Sequence, residues 1–432
     1  MKNLFFHLMP YKGLPEDFVE KYESVWVNID TRLYNPDLIR EYFHDYLDQL
    51  KFADQLGFDG ICVNEHHSNG YAIMASPQMM ASILARETSH AAIVLMGCSI
   101  ALYDPPMRVA EDMATIDAMS GGRVVAGFPM GTPFDTCYAY GQNPSSVRQK
   151  YKEAYDIIMR TWSSDDMFAY NGEYYKQPFI NTFIKPKQRP HPPIWVPGGG
   201  SVETWRWAAE QNFGYGYTSF YGALAARTQV AGFWDFVDQA GQDRNPFRLG
   251  MVQFIGVAKN REEAMELYRE PAEYLYNRNL KVGARWAVPP GYQSEETKRM
   301  QVQSTMQQAA LKAVGAIRTG KLTMEEIVER GYVIIGSPDE VAAQVRANCI
   351  DLNCGNMMAL LQFGNMRTQV GMYNLELYGR YVKPQLDDLF EKDWEHHWWP
   401  DACRTVKEPP AGAFPASPVV AAAAPVSAAA HG

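Results

Sequence analysis

Leu56-Gly57-Phe58-Asp59-Gly60-Ile61-Cys62-Val63-Asn64-Glu65-His66-His67 is the stretch on which the reading of this chain turns. To its left, Asn35-Pro36 supplies a helix cap and a first-turn proline. Leu38, Ile39, Tyr42, Phe43, Tyr46, Leu50 and Ala53 then recur at helical spacing until Gly57 ends the run. Gly60 to Asn64 reads as a short strand, and polar, titratable groups follow it at once. In a parallel α/β barrel that position is the C-terminal rim, where strand ends hold the chemistry.

The same alternation continues in both directions. Candidate strands lie near Leu4 to Met9, Gly60 to Asn64, Ile93 to Ala101, Arg123 to Phe128, Ile194 to Pro197, Phe213 to Thr218, Leu249 to Val257 and Asn356 to Phe363. Eight βα units are the number that closes a (β/α)8 TIM barrel, so the fold class is α/β. Between the strands, Ser76-Pro77 opens a helix, and Val147, Tyr151, Ala154, Ile158 and Trp162 mark a buried helical face. Ser337-Pro338-Asp339-Glu340 reads as a capping box with proline in the first turn. Three connections exceed a normal βα loop: residues 11–34, residues 163–193 with a hairpin turning at Asn171-Gly172, and residues 284–332. Such insertions at the rim act as lids or pocket walls, or else as surface elaboration or a dimer contact. Beyond Glu408 the chain is rich in alanine and proline, a composition that cannot bury a core and is expected to be disordered.

Composition narrows the function classes. With 47% hydrophobic and 13% aromatic residues, the 432-residue chain has the apolar material to fill a barrel and line a cavity. Lysine and arginine number 40 against 49 acids, and no basic cluster tracks a phosphate backbone, which argues against nucleic acid. The apolar run in Met1 to Pro10 is too short for a signal peptide and no stretch is long enough to span a bilayer, so a cytoplasmic protein is expected. Six cysteines without a CxxC pair fit reduced thiols.

Three motifs carry candidate chemistry. Asn64-Glu65-His66-His67 sits on the rim. A metal reading lacks the His-Glu-x-x-His spacing, and a purely structural role for one histidine stays open. Pro197-Gly198-Gly199-Gly200-Ser201 leads into Glu203-Thr204-Trp205-Arg206 after the fifth strand. Bare N–H groups there, with the Ser201 and Thr204 hydroxyls, can seat a phosphate, although a glycine run can also serve only a tight turn. Asp117 to Phe128 ends a helix at Gly121-Gly122 and starts a strand. It is mostly structural, but Gly127 and Gly131 sit where absent side chains let a planar ring approach the backbone.

Taken in order, these stretches resemble the luciferase-like flavin-dependent monooxygenases. The match runs through Leu56-Gly57-Phe58-Asp59 with Glu65-His66-His67, Arg108-Val109-Ala110-Glu111-Asp112 through Arg123, Pro192-Pro193-Ile194-Trp195-Val196 with the glycine turn, and Gly336-Ser337-Pro338-Asp339-Glu340-Val341. It covers roughly residues 1–390, leaving residues 391–432 as a C-terminal extension. The resemblance implies a bacterial-luciferase-type barrel, usually dimeric, that binds reduced FMN with its phosphate at Gly199, Gly200, Ser201 and Thr204. It implies a catalytic His66 beside the reactive flavin edge, with Glu65 orienting the histidine pair and Asn64 touching flavin or substrate. Gly97, Cys98 and Ser99 correspond to a segment under the ring that often carries a cis peptide, and Gly131, Tyr138 and Arg148 to further cofactor contacts. One position departs: Met130 stands where many relatives place an arginine toward the phosphate. Losing that contact costs about 1.5 to 3 kcal/mol unless Arg148 or Arg206 substitutes.

The implied reaction uses dioxygen as co-substrate. Reduced FMN forms a C4a-hydroperoxide that must be kept from water, and a small organic molecule is oxygenated. No nicotinamide site is evident, so a separate flavin reductase is the expected partner. The competing expectations are an F420-dependent hydride-transfer enzyme on the same barrel, and a non-catalytic flavin-binding subunit.

Overall fold

The computed structural model describes residues 1–286, 288–303 and 322–403, together with 412 and 414–418. Eleven strands are present among them: β1 (Lys2–Phe6), β2 (Gly60–Val63), β3 (Ala92–Leu95), β4 (Val124–Gly127), β5 (Phe168–Asn171), β6 (Lys176–Ile180), β7 (Ile194–Gly198), β8 (Gly214–Tyr217), β9 (Leu249–Val257), β10 (Val333–Gly336) and β11 (Asn356–Leu360). Eight of them close a parallel ring in the order β1-β2-β3-β4-β7-β8-β9-β11, with β11 returning to β1 through pairs such as Lys2 with Asn356. This is a TIM barrel. All eight are the strands expected from sequence, with ends differing by a few residues.

The helices follow in chain order: α1 (Phe18–Lys21), α2 (Pro36–Gln55), α3 (Pro77–Glu87), α4 (Met107–Ser120), α5 (Val147–Ser163), α6 (Val202–Glu210), α7 (Gly222–Gln239), α8 (Arg261–Tyr274), α9 (Glu295–Gln303), α10 (Met324–Glu329), α11 (Pro338–Leu352) and α12 (Thr368–Leu377). Asn35 caps α2 through bonds from the N–H groups of Asp37 and Leu38, and Ser337 with Glu340 forms the reciprocal capping box of α11. Ser76 precedes α3 as expected, but its side chain makes no capping bond.

Two features depart from the sequence reading. The expected strand Ile93 to Ala101 stops at Leu95, because the chain turns at a cis Met96–Gly97 peptide and Cys98 N–H bonds Gly127 O. In addition, Val333–Gly336 is a ninth parallel strand that pairs with the last four residues of β9, Phe254 to Val257, beyond the part of β9 that β8 covers. The hairpin β5–β6 turns over residues 172–175, where the Glu153 carboxylate of α5 accepts the N–H groups of Glu173, Tyr174 and Tyr175. A Cβ on Gly172 would lie 2.3 Å from that carboxylate, so a larger residue there would displace the Glu153 side chain.

Side chains fill the barrel from its N-terminal end. Trp195 occupies space that glycines vacate: a Cβ at Gly214 or Gly250 would stand 2.8 or 2.7 Å from its ring. Its indole N–H bonds Trp398 O, and Trp399 packs on Gly60, so residues 398–399 cover the start of the strands. With that end packed, the free volume lies at the C-terminal rim. The expected disorder beyond Glu408 falls almost wholly outside the described residues. No helix among the described residues is long and apolar enough to cross a membrane.

Candidate active site

A cavity of ≈ 400 Å³ opens at the C-terminal ends of the barrel strands. Of the residues singled out from sequence, Asn64, Glu65, His66, Gly97, Ser99, Gly131, Arg148, Gly199, Gly200, Ser201 and Thr204 line it. Cys98 and Tyr138 do not. Cys98 is buried behind β3, where Gln78 Nε2 donates to its sulfur, and burial pushes its thiol pKa up so that it stays protonated. Tyr138 turns outward, edge-on to Trp286.

The two histidines diverge to different carboxylates. His67 Nε2 meets Glu65 Oε1 at 2.9 Å, and Glu65 also accepts from the Tyr103 hydroxyl and from Ser99 N–H. Glu65 thus ties the loop after β2 to the loop after β3, and it orients only the second histidine. His66 Nδ1 instead lies 2.9 Å from Asp135 Oδ2. Sequence reasoning missed Asp135, which sits at the start of a helical turn over Phe134–Ala139, and Thr132 three residues earlier is its only local signal.

Asp135 is fully subscribed. Besides His66 it accepts Thr132 Oγ1–H at 2.7 Å, His67 N–H at 2.7 Å and Asn69 Nδ2–H at 3.4 Å. Burial alone would raise its pKa, but the charge and hydrogen bond of His66, with the His67 and Thr132 donors, hold it below the ordinary carboxylate value. A carboxylate can only accept, so in neutral His66 the proton sits on Nδ1 and Nε2 keeps a lone pair. With Nδ1 engaged, Nε2 is the nitrogen available to the cavity.

Asn64, at the end of β2, donates Nδ2–H to His7 O, while its buried Oδ1 has no partner among the described residues. An N–H of a ring ligand would satisfy it. Gly97 lines the cavity, and the side its Cβ would take is already packed: a Cβ would stand 2.2 Å from Pro129 and 2.6 Å from Gly127 O.

The glycine turn leads into α6, where Ser201 Oγ caps the helix by accepting Thr204 N–H and donates to Thr204 Oγ1. A Cβ on Gly199 would meet nothing nearer than Thr218 O at 3.8 Å, so the turn leaves open space beside the helix start. Part of the long insertion closes over this end: Tyr292 donates to Gly131 O, and Thr297 of α9 accepts Val202 N–H and donates to Glu203. Two charges also lie here. Among the described residues, Arg148 is the only lysine or arginine on the lining; it approaches Glu203 to 4.0 Å, and Glu203 Oε1 is buried without a partner. Arg206, the other expected substitute, pairs with Glu296 at 3.0 Å and does not line the cavity.

Loops after β1, β2, β4 and β8 contribute the aromatic lining, Trp26, Tyr71, Phe134 and Phe220. Trp26 and Tyr71 stack at 3.8 Å, and His66 stands edge-on to both at 5.5 and 5.1 Å.

A parallel barrel with a polar dyad, a glycine turn and aromatic walls around one rim cavity defines an α/β-barrel protein with a small-molecule site. The chain belongs to the luciferase-like monooxygenase family, whose model matches residues 26–351. It is 22% identical over 375 residues to 4-hydroxyprotoasukamycin monooxygenase of Streptomyces nodosus subsp. asukaensis, covering 82% of this chain and 89% of that one. The oxygenase component of flavin-dependent trigonelline monooxygenase from Acinetobacter baylyi is 26% identical over 180 residues, 40% of this chain, so the match spans only about half (48%) of that relative. F420-dependent glucose-6-phosphate dehydrogenase of Segniliparus rotundus is 24% identical, covering 68% of this chain and 81% of its own. Among solved structures, the oxygenating constituent of 3,6-diketocamphane monooxygenase from Pseudomonas putida, in complex with FMN, has the same fold. Its TM-score is 0.67 at 18% identity, over 89% of this chain and 98% of that one.

Proposed function

We propose that this protein is a flavin-dependent monooxygenase that takes reduced FMN from a separate reductase and uses dioxygen to oxygenate a small organic molecule. The observation that carries this reading is that His66 and the Gly199–Thr204 turn line the same cavity. The donor set fits FMN. The glycine turn offers N–H donors and Thr204 its hydroxyl for a phosphate, Arg148 supplies a cation, Asn64 Oδ1 awaits a ring N–H, and Gly97 lines the cavity with backbone alone. When bound and reduced, the flavin supplies the electrons that activate dioxygen.

The chain's own residues supply the rest. Asp135 fixes the His66 tautomer, so Nε2 can accept a proton or hydrogen bond and then return it. Glu65 keeps the Ser99 loop in place under the ring site. Tyr292 and α9 hold the insertion over the mouth and keep water out. Asn64, Glu65 and His66 act together at the reacting end, and Gly199, Gly200, Ser201, Thr204 and Arg148 at the phosphate end, with Gly97, Ser99 and Gly131 between. Cys98 supports the fold from behind, and Tyr138 serves the insertion through Trp286. We further propose a cytoplasmic homodimer, with residues 1–390 as the barrel unit and residues 391–432 as its extension. The reductase partner draws support from the trigonelline relative, which is named an oxygenase component.

The test is rapid mixing of reduced FMN and the protein with oxygenated buffer. The reading predicts an absorbance phase that free reduced FMN lacks, and reoxidation at the rate of free flavin would contradict it. A second reading, hydride transfer with F420, draws on the dehydrogenase relative and on Met130 standing in for an arginine. It predicts tight F420 binding and no such phase.

A further inference from the structure

The aromatic end of the cavity says what kind of molecule it admits. Trp26, Tyr71, Phe134 and Phe220 come from four different rim loops and still pack as one wall. Trp26 stacks on Tyr71 at 3.8 Å and 23°, Phe134 lies 5.1 Å from Trp26, and Phe220 lies 6.0 Å from Tyr71. Val288 of the insertion adds a further apolar contact surface. Aromatic faces arranged this way reward a flat ring that can stack or meet them edge-on.

Charge decides among flat rings. Among the described residues the ionisable groups at this end are His66, Asp135 and Glu65. Asp135 already accepts four donors, while Glu65 accepts from His67, Tyr103 and Ser99. Arg148, the lysine or arginine that the described lining does hold, stands beside Glu203 at the glycine turn. A carboxylate or sulfonate at the aromatic end would therefore lose its water and face two carboxylates with no lysine or arginine among the described residues, which is costly in an apolar chamber. The aromatic faces accept a cation as well as a neutral ring.

We propose that the substrate is a flat, ring-bearing molecule without a negative charge, held against the wall of Trp26, Tyr71, Phe134 and Phe220, with the atom to be oxidised presented to His66. This rests on the monooxygenase reading for the word substrate, but the chamber's selectivity stands on its own geometry. A ring that stacks in this wall lies beside His66, whose ring is edge-on to Trp26 and Tyr71. The wall positions the substrate, and His66 touches it.

The experiment is calorimetric titration of the full chain, with and without saturating FMN, using three probes of similar size: benzamide, benzoate and N-methylpyridinium. Benzamide and N-methylpyridinium should each bind at least tenfold more tightly than benzoate. Trp26→Leu should weaken benzamide at least fivefold while leaving FMN fluorescence quenching unchanged. Phe220→Leu, at a less buried position, does the same in case the tryptophan variant fails to fold. Benzoate binding as tightly as benzamide overturns the proposal, as does benzamide binding that neither variant alters or no binding of any probe. If benzamide behaves as stated but FMN does not bind, the chamber assignment stands and the flavin reading falls. If FMN binds and the probes show no preference, the reverse holds.

Discussion

Replacing Arg148 by methionine removes the only lysine or arginine among the described residues on the cavity lining and takes the cation away from Glu203, 4.0 Å distant, beside the proposed phosphate seat. A charge-assisted hydrogen bond is worth about 1.5 to 3 kcal/mol. The guanidinium is 29% exposed, so screening places the loss near the low end, at about 1.5 to 2 kcal/mol, or a 10- to 30-fold rise in the FMN dissociation constant. Glu203→Gln should act in the opposite sense. It removes a like charge next to a phosphate dianion, worth ~1 kcal/mol in this partly exposed setting, and tightens FMN roughly fivefold. Combining the two should bring affinity back part of the way, because each changes the field that the other feels. The assay is quenching of FMN fluorescence at fixed low ionic strength, with circular dichroism melts to show that each variant is folded. If Arg148→Met changes the constant by less than about threefold, or Glu203→Gln weakens binding, the phosphate does not sit at this turn.

Three other outcomes follow from the geometry. Asp135→Asn should leave FMN binding intact but slow the His66-dependent step by roughly 10²-fold, since the amide no longer fixes the imidazole tautomer; single-turnover traces monitor this. Gly97→Ala should destabilise the fold by ~1 to 3 kcal/mol, read as a lower melting temperature, because its Cβ would fall 2.2 Å from Pro129, whereas Gly199→Ala should melt normally and bind FMN more weakly. His7 is buried and neutral, with its pKa pushed down to about 3 by burial, and Met9 N–H already points at Nδ1. Because the folded value lies below the unfolded one, the unfolded chain takes up more protons between pH 6.5 and 3. Stability therefore falls as pH drops through that window, by at most ~5 kcal/mol. Urea melts at pH 7 and 4.5 should show a smaller difference for His7→Asn than for the unmodified chain.

The barrel was legible because each of its eight strands is a short apolar run between turn or cap signals, and Leu249–Val257 was read to the residue. β10 was not, although Val333-Ile334-Ile335-Gly336 directly precedes the Ser337-Pro338 cap. A four-residue run that pairs only with the far end of β9 carries no more periodicity than a loop. At the site, the residues read from strand ends and the glycine turn fall on the cavity, because barrel topology places every strand end on one rim. Asp135 was invisible for the converse reason. It reaches His66 from 69 residues away, and nothing local marks a lone aspartate in a helical turn as the partner of a distant histidine. Trp26, Tyr71 and Phe220 were hidden likewise, since long loops have no period and their contacts are set by the tertiary structure. Glu203 lay within the quoted glycine-turn motif, but its unpartnered oxygen became evident only once Arg148 and Thr297 were placed around it.

The most direct test of the whole account is a crystal structure of the chain soaked with FMN. The account predicts the phosphate within hydrogen-bond reach of Ser201, Thr204 and Arg148, the ring lying on Gly97 with an N–H to Asn64, and His66 Nε2 facing its reactive edge. A flavin bound elsewhere, or a phosphate beside Trp26, would contradict it.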